Sequence, residues 1–275
     1  MDNKSNAGRV QSIERAFSIV EMLKVHQELG ISELSSLLSL DRSTVHRLLA
    51  TLRSLGYVNQ NKSNLKYSNS LKFFDLGHSV VRSLGLSQIA KPFMARLANQ
   101  TGEGVNIAVM ESYAIAYIEK IESQSTIRVN LPLGAYMPAY CTGLGKMLLA
   151  ALPEEEIREN YRNSSETAAR NTIQCHEDLL QLRRYTANTI TDLEALCTEL
   201  AQTRERGYSI DDEEYVEGLY CIAAPIRNYR GATIAAMSVA LAKIMGRDIK
   251  QEAQNVIPKL LAAARELSCA LGYLP

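Results

Sequence analysis

Within the first seventy residues the spacing of apolar side chains changes character twice. From Ser12, the residues Ile13, Ala16, Phe17, Val20 and Leu23 recur at helical intervals, and the pattern ends near Gly30. Ser32 then offers an N-cap for a short helix over Glu33–Leu38, with Leu34, Leu37 and Leu38 facing inward. After a tight break at Ser39-Leu40-Asp41, a third helix is predicted to run to Leu55. Its buried stripe is Val45, Leu48, Leu49, Leu52 and Leu55, and Gly56 stops it. Two short strand-like runs follow, Tyr57-Val58-Asn59-Gln60 and Leu65-Lys66-Tyr67, around the polar turn Asn61-Lys62-Ser63-Asn64. Helix, helix, turn, helix, hairpin is the order of a winged helix-turn-helix.

That order gives the polar face of the third helix a chemical meaning. Its first turns present Arg42, Ser43, Thr44, His46 and Arg47, with Thr51 and Arg53 further along. A recognition helix reads base edges chiefly through residues near its N-terminus. Arginine matches guanine edges and phosphates, while serine and threonine suit phosphates or either base type. Backbone amides at the helix start add a phosphate site. Lys62 and Lys66 on the hairpin would lie along the flanking backbone. Taken alone, a polar helix face with a few arginines is a solvated surface; the order of elements turns it into a candidate contact with double-stranded DNA. Charge agrees in sign: residues 1–80 carry ten basic and seven acidic side chains, a net +3, and the chain's overall charge of zero leaves −3 for the rest.

These stretches resemble the IclR family of bacterial transcription regulators. The resemblance is carried by Val10-Gln11-Ser12-Ile13-Glu14-Arg15-Ala16, by Leu40-Asp41-Arg42-Ser43-Thr44-Val45-His46-Arg47-Leu48-Leu49, by Leu55-Gly56-Tyr57-Val58 and by Lys66-Tyr67, and it continues over nearly the whole chain.

Leu71–Ser87 holds Phe73, Phe74, Leu76, Val80, Val81 and Leu84 without linker composition, and reads as a helix joining two domains. A further helix is predicted from Lys91-Pro92 to Gln100, with Pro92 in its first turn. From Gly104 the texture turns to β runs: 105–110, 113–121, 127–131, 207–210, 220–227 and 233–241, the last two forming an antiparallel hairpin. A closing helix is predicted over 247–271, with Pro258 kinking or splitting it. The fold class is therefore α+β: an N-terminal winged helix-turn-helix (9–70), a connector helix (71–90), and a second domain (91–275) built on an antiparallel sheet.

Two motifs stand out in the second domain. Tyr140-Cys141-Thr142-Gly143-Leu144-Gly145-Lys146 has glycines opening a helix, which either offers backbone N–H groups to an anion or is a tight loop against the sheet. A phosphate-binding P-loop is excluded, because Tyr140 stands at its upstream glycine and Met147 at its magnesium-binding hydroxyl. The second motif is an acidic cluster, Asp211-Asp212-Glu213-Glu214, leading into an apolar strand from Leu219. It reads as a solvated loop or as the mouth of a cavity. For an enzyme, Cys141 or Cys221 could be the nucleophile, but neither has a base nearby in sequence. Four histidines without ligand spacing, Cys175-His176 included, give no metal centre, and no cofactor is implied. The alternative function is a small-molecule-converting enzyme or a ligand-binding module that uses the C-terminal pocket.

The resemblance implies more. It makes the second domain an effector-binding domain with a GAF- or PAS-like fold. The family's usual loop reads His-Ala-Thr/Ser-x-x-Gly-Lys, and Tyr140 and Cys141 replace the first two residues here. By resemblance, Cys141 and the backbone amides of Gly143 and Leu144 bind a small organic acid, with Asp211, Leu219, Cys221 and Ser238 completing the pocket; Ala240 falls where some members have serine. The implied protein is a regulator, acting as a repressor, working as a homo-dimer or tetramer on operator DNA. The polar start and the five scattered cysteines, without an apolar run near the roughly 18 residues of a bilayer span, suit a cytoplasmic protein with no membrane partner.

Overall fold

The computed structural model describes residues 10–83, 85–123, 132–167, 177–243, 246 and 248–274. The chain divides into two compact units between Ser83 and Leu84. In the first unit, α1 (Gln11–His26), α2 (Ile31–Leu38) and α3 (Arg42–Ser54) are followed by the hairpin β1 (Val58–Gln60) and β2 (Tyr67–Asn69), and then by α4 (Lys72–Ser83). Helices α1, α2 and α3 contribute their apolar stripes to one small core of Ile19, Leu23, Leu29, Leu34, Val45, Leu49, Val58 and Tyr67. Because Val58 and Tyr67 belong to that core, the hairpin is fixed to α3 and does not hang free. One helix start and one helix end differ from expectation. Helix α2 begins at Ile31 with Gly30 as its N-cap, because the Glu33 carboxylate reaches back to accept from the Gly30 N–H (2.6 Å), which leaves Ser32 inside the first turn. Helix α1 ends at His26, four residues before Gly30.

The expected connector over 71–90 is not one helix. Gly85 adopts a left-handed backbone (φ 65°), and α5 starts at Leu86 and runs to Thr101, placing Pro92 mid-helix. Leu86 and Ala90 are buried in the second unit. The residues between Leu86 and Ala90 therefore belong to the sheet domain, because two of their side chains are needed in its core.

The second unit is an antiparallel sheet in the order β5-β4-β3-β8-β7-β6. Its strands are β3 (Gly104–Glu111), β4 (Ala114–Ile121), β5 (Tyr136–Pro138), β6 (Ser209–Asp212), β7 (Leu219–Arg227) and β8 (Thr233–Ala242). The short edge strand β5 gave no sequence signal, and the expected strand at 127–131 lies outside the described residues. Consecutive residues Ile222, Ala223 and Ala224 of β7 are all fully buried. Since strand side chains alternate between faces, both faces of the sheet are covered. Helices α5 and α9 (Ile249–Ala270) pack together and on the sheet, and α6 (Gly143–Leu149) packs on β7 and β8. Helix α9 continues through Pro258, so the expected split does not occur. Helices α7 (Glu154–Thr167) and α8 (Leu193–Arg206) complete the second unit. Among the described residues, no helix is long and apolar enough to cross a membrane.

Candidate functional site

Helix α3 owes its start to Asp41. That carboxylate accepts from the Thr44 N–H (2.8 Å), the Ser43 hydroxyl (2.6 Å) and the Thr44 hydroxyl (2.7 Å), bonds that hold it well below the usual carboxylate range. The exposed residues of α3 are Arg42, Ser43, His46, Arg47, Ala50, Thr51, Arg53 and Ser54. Arg47 and Thr51 stand on the side toward α1, while His46, Ala50 and Arg53 border a groove shared with the start of α2 and the hairpin. Not every polar group there is available. The Thr51 hydroxyl donates to the Arg47 carbonyl (3.0 Å), and the Arg53 guanidinium donates to Gln60 Oε1 on β1 (2.6 Å). Asn61 and Asn64 of the hairpin turn donate to the two carboxylate oxygens of Glu28, and Lys66 pairs with Glu33 (2.9 Å). Lys62 stands exposed on the turn. Arg42, His46 and Arg47 make no such bond to the described residues.

In the second unit a cavity of about 70 Å³ lies between the start of α6 and the sheet. Strand register explains its floor. Asp211 on β6 pairs with Cys221 on β7, Cys221 with Ala240 on β8, and Ala240 with Gly104 on β3, so four residues form one row across four strands. The pair Ser238–Asn106 lies two residues along on the same face. Gly143 and Leu144 at the start of α6 form the opposite wall, together with Thr142, whose hydroxyl accepts from the Gly145 N–H (3.2 Å). Glycine is required at 145, since a Cβ there would sit 2.2 Å from the Ala139 carbonyl oxygen. At 143 a Cβ would stand 3.4 Å from Cys221 Cβ.

The cavity therefore gathers Gly143, Leu144, Asp211, Leu219, Cys221 and Ser238 of the expected set. Cys141 is the exception: it is fully buried in the core cluster beneath the loop and does not line the cavity. Asn106, Tyr117, Lys120, Thr142 and Tyr215 line it and were missed. Two of these carried a signal that sequence reading could have used: Thr142, inside the glycine motif, and Asn106, a polar residue between Val105 and Ile107.

Burial dominates the electrostatics. Asp211 is 3% exposed, and burial pushes its carboxyl up to about 7, although it accepts from the Glu214 N–H (2.8 Å). Behind it Lys146, 1% exposed, pairs with Glu214 and lies 3.4 Å from Glu199, which Arg206 also contacts (2.6 Å). One oxygen of Glu214 has no partner among the described residues, and burial raises its carboxyl too. Burial also pushes the Cys141 and Cys221 thiols well up, which keeps them protonated and unreactive. Cys175 and His176 lie outside the described residues; within these there is no group of three potential metal ligands.

Two family models match along the chain: the IclR helix-turn-helix domain over residues 12–62, and the C-terminal domain of the bacterial transcriptional regulator IclR over 78–269. The chain belongs to the IclR family. Among curated relatives, the HTH-type transcriptional regulator XynR of Escherichia coli is 35% identical over 268 residues, covering 96% of this chain and 98% of XynR. KdgR of the same organism is 34% identical, covering 96% of this chain and 94% of KdgR. The transcriptional repressor AllR of Salmonella typhimurium is 32% identical over 96% of this chain and 91% of AllR. The crystal structure of Thermotoga maritima IclR aligns with a TM-score of 0.74 at 26% identity, over 96% of this chain and all of that one. The IclR-family chain is thus a DNA-binding transcriptional regulator; its family and relatives are regulators, not enzymes.

Proposed function

We propose that this IclR-family chain is a repressor that binds operator DNA through α3 and the hairpin, and that a small organic acid in the cavity releases it. The DNA-binding part spans 9–70, and the ligand-binding part begins at Leu86. The observation that carries the reading is the cavity itself. It brings Gly143, Leu144, Asp211, Leu219, Cys221 and Ser238, scattered over nearly one hundred residues of sequence, around one space with a nearly fully buried carboxyl. Roughly 10–15 Å³ of such volume holds a water, so about five waters fill the space, and its ligand is a compact molecule of few heavy atoms. Amides of Gly143 and Leu144 take the acid group, while Asp211, Asn106 and Ser238 take the hydroxyl or carbonyl end.

On the DNA side, Arg42, His46 and Arg47 reach the groove, Ser43, Thr44 and Thr51 stay close to the helix backbone, and Lys62 and Lys66 track phosphates. Arg53 serves by holding β1 against α3. The first unit also exposes an apolar cleft of about 890 Å³ bounded by Ile13, Phe17, Leu48, Leu55, Phe73 and Leu76. A second copy of the chain covers it, because a helix-turn-helix protein reads two half-sites with two recognition helices. A gel-shift titration with DNA upstream of the chain's own gene and its neighbours tests this. The expected result is a discrete complex of two or four chains per duplex that Arg47→Ala loses. Equal binding by Arg47→Ala would remove α3 from the interface.

A further inference from the structure

The exposed face of α3 carries one methyl group among its polar side chains. On a helical wheel of 3.6 residues per turn, Ser43, Arg47, Ala50 and Ser54 fall opposite the side that buries Val45 and Leu49. The Ser43 hydroxyl is committed to Asp41 (2.6 Å), and the Ser54 hydroxyl donates to the Thr51 carbonyl (2.8 Å). That leaves an exposed methyl group, Ala50, flanked by two unpaired polar side chains, Arg47 and His46, three and four residues before it and so about one helical turn away. The face reads as polar, nonpolar, polar across its middle.

We propose that Ala50 is a base-reading residue, its methyl group meeting the C5-methyl of a thymine in the major groove. Thymine's methyl is the one apolar group that a base edge presents there, and alanine is among the side chains suited to it. The small side chain also lets α3 approach closely enough for Arg47 and His46 to reach the neighbouring pairs. Arg47 then takes a guanine edge, so each half-site combines a guanine with a nearby thymine. The groove beside Ala50, bordered by Gly30 and Ser32 at the start of α2 and by Gln60 and Asn64 of the hairpin, is where the sugar-phosphate strand passes. This inference rests on α3 being the reading helix.

The test is a cycle of two proteins and two DNAs. A duplex is first selected from a randomised library by the full-length chain, and each thymine in it is then replaced singly by deoxyuridine, which lacks only the methyl. At one thymine per half-site the replacement is expected to weaken binding by wild type about fourfold, the worth of one methyl group removed from water. Ala50→Gly, which removes the methyl from both half-sites, is expected to bind the thymine duplex as weakly as wild type binds a duplex with that thymine replaced in both half-sites, and to lose less than about twofold more on replacement. Ala50→Ser keeps a helix-compatible side chain, and is expected to shift base preference at that same position only. Wild type insensitive to every replacement, or Ala50→Gly losing as much as wild type, would overturn the assignment. If Arg47→Ala still selects the wild-type sequence with wild-type affinity, α3 does not read DNA at all, and the failure lies with the interface and not with Ala50.

Discussion

Asp211 is placed where its charge is hardest to keep. Its carboxyl, 3% exposed, titrates near 7 in the folded chain against 3.8 for an ordinary aspartate. The fold therefore prefers the neutral acid. No stability is lost to this group below about pH 4; the loss grows as pH rises toward 7 and is complete above it. Asp211→Asn keeps an acceptor for the Glu214 N–H and removes the titration. It is expected to raise Tm at pH 8 and to leave it almost unchanged at pH 4; an equal gain at both pH values would deny the buried acid. Sequence could name Asp211 but not this property, because burial of Asp211 depends on its pairing with Cys221 across the sheet. The same limit explains two other residues. Cys141 belongs to the matched loop, yet the turn into α6 points it at the core. Lys146 reads as part of a glycine-lysine motif, and only the fold sets it between Glu214 and Glu199.

At the scale of elements, α3 and the hairpin act as one body. Val58 and Tyr67 tie the strands into the helical core, and the Arg53–Gln60 bond closes the outer edge. Arg53 is then a positioning residue more than a reader. Arg53→Met is expected to weaken binding to all DNA several-fold while selecting the same sequence as wild type; a changed base preference in the selected library would make Arg53 a reader after all. The helices and strands of this region were legible because each has a strong period and a stop signal, such as Gly56 with φ 80° after α3. What escaped had weak local signals. Helix α2 starts one residue before the expected Ser32 cap because a glutamate three residues on caps Gly30. The connector breaks at Gly85, between Leu84 and Leu86, where apolar periodicity alone sees continuous helix. Strand β5 is three residues long and is defined only by its pairing with β4.

For the whole molecule, the central claim is that one chain couples two sites. A ligand can release DNA only if it binds the two states of the regulator unequally, and DNA must then weaken ligand binding by the same factor. In the proposed reading the cavity is the first site and α3 the second. The direct measurement is the affinity of the full-length chain for its selected operator duplex, by fluorescence anisotropy at fixed salt, with and without a panel of small monocarboxylic acids. Wild type is expected to lose about tenfold in DNA affinity with at least one of these acids, within the usual range of coupling between sites. Gly143→Asp, whose side chain would stand against Cys221 and bring a negative charge to the acid's site, is expected to bind DNA as wild type does and to ignore the acid. An acid that binds the wild-type chain yet leaves its DNA affinity unchanged, or one that releases Gly143→Asp equally well, would contradict the account.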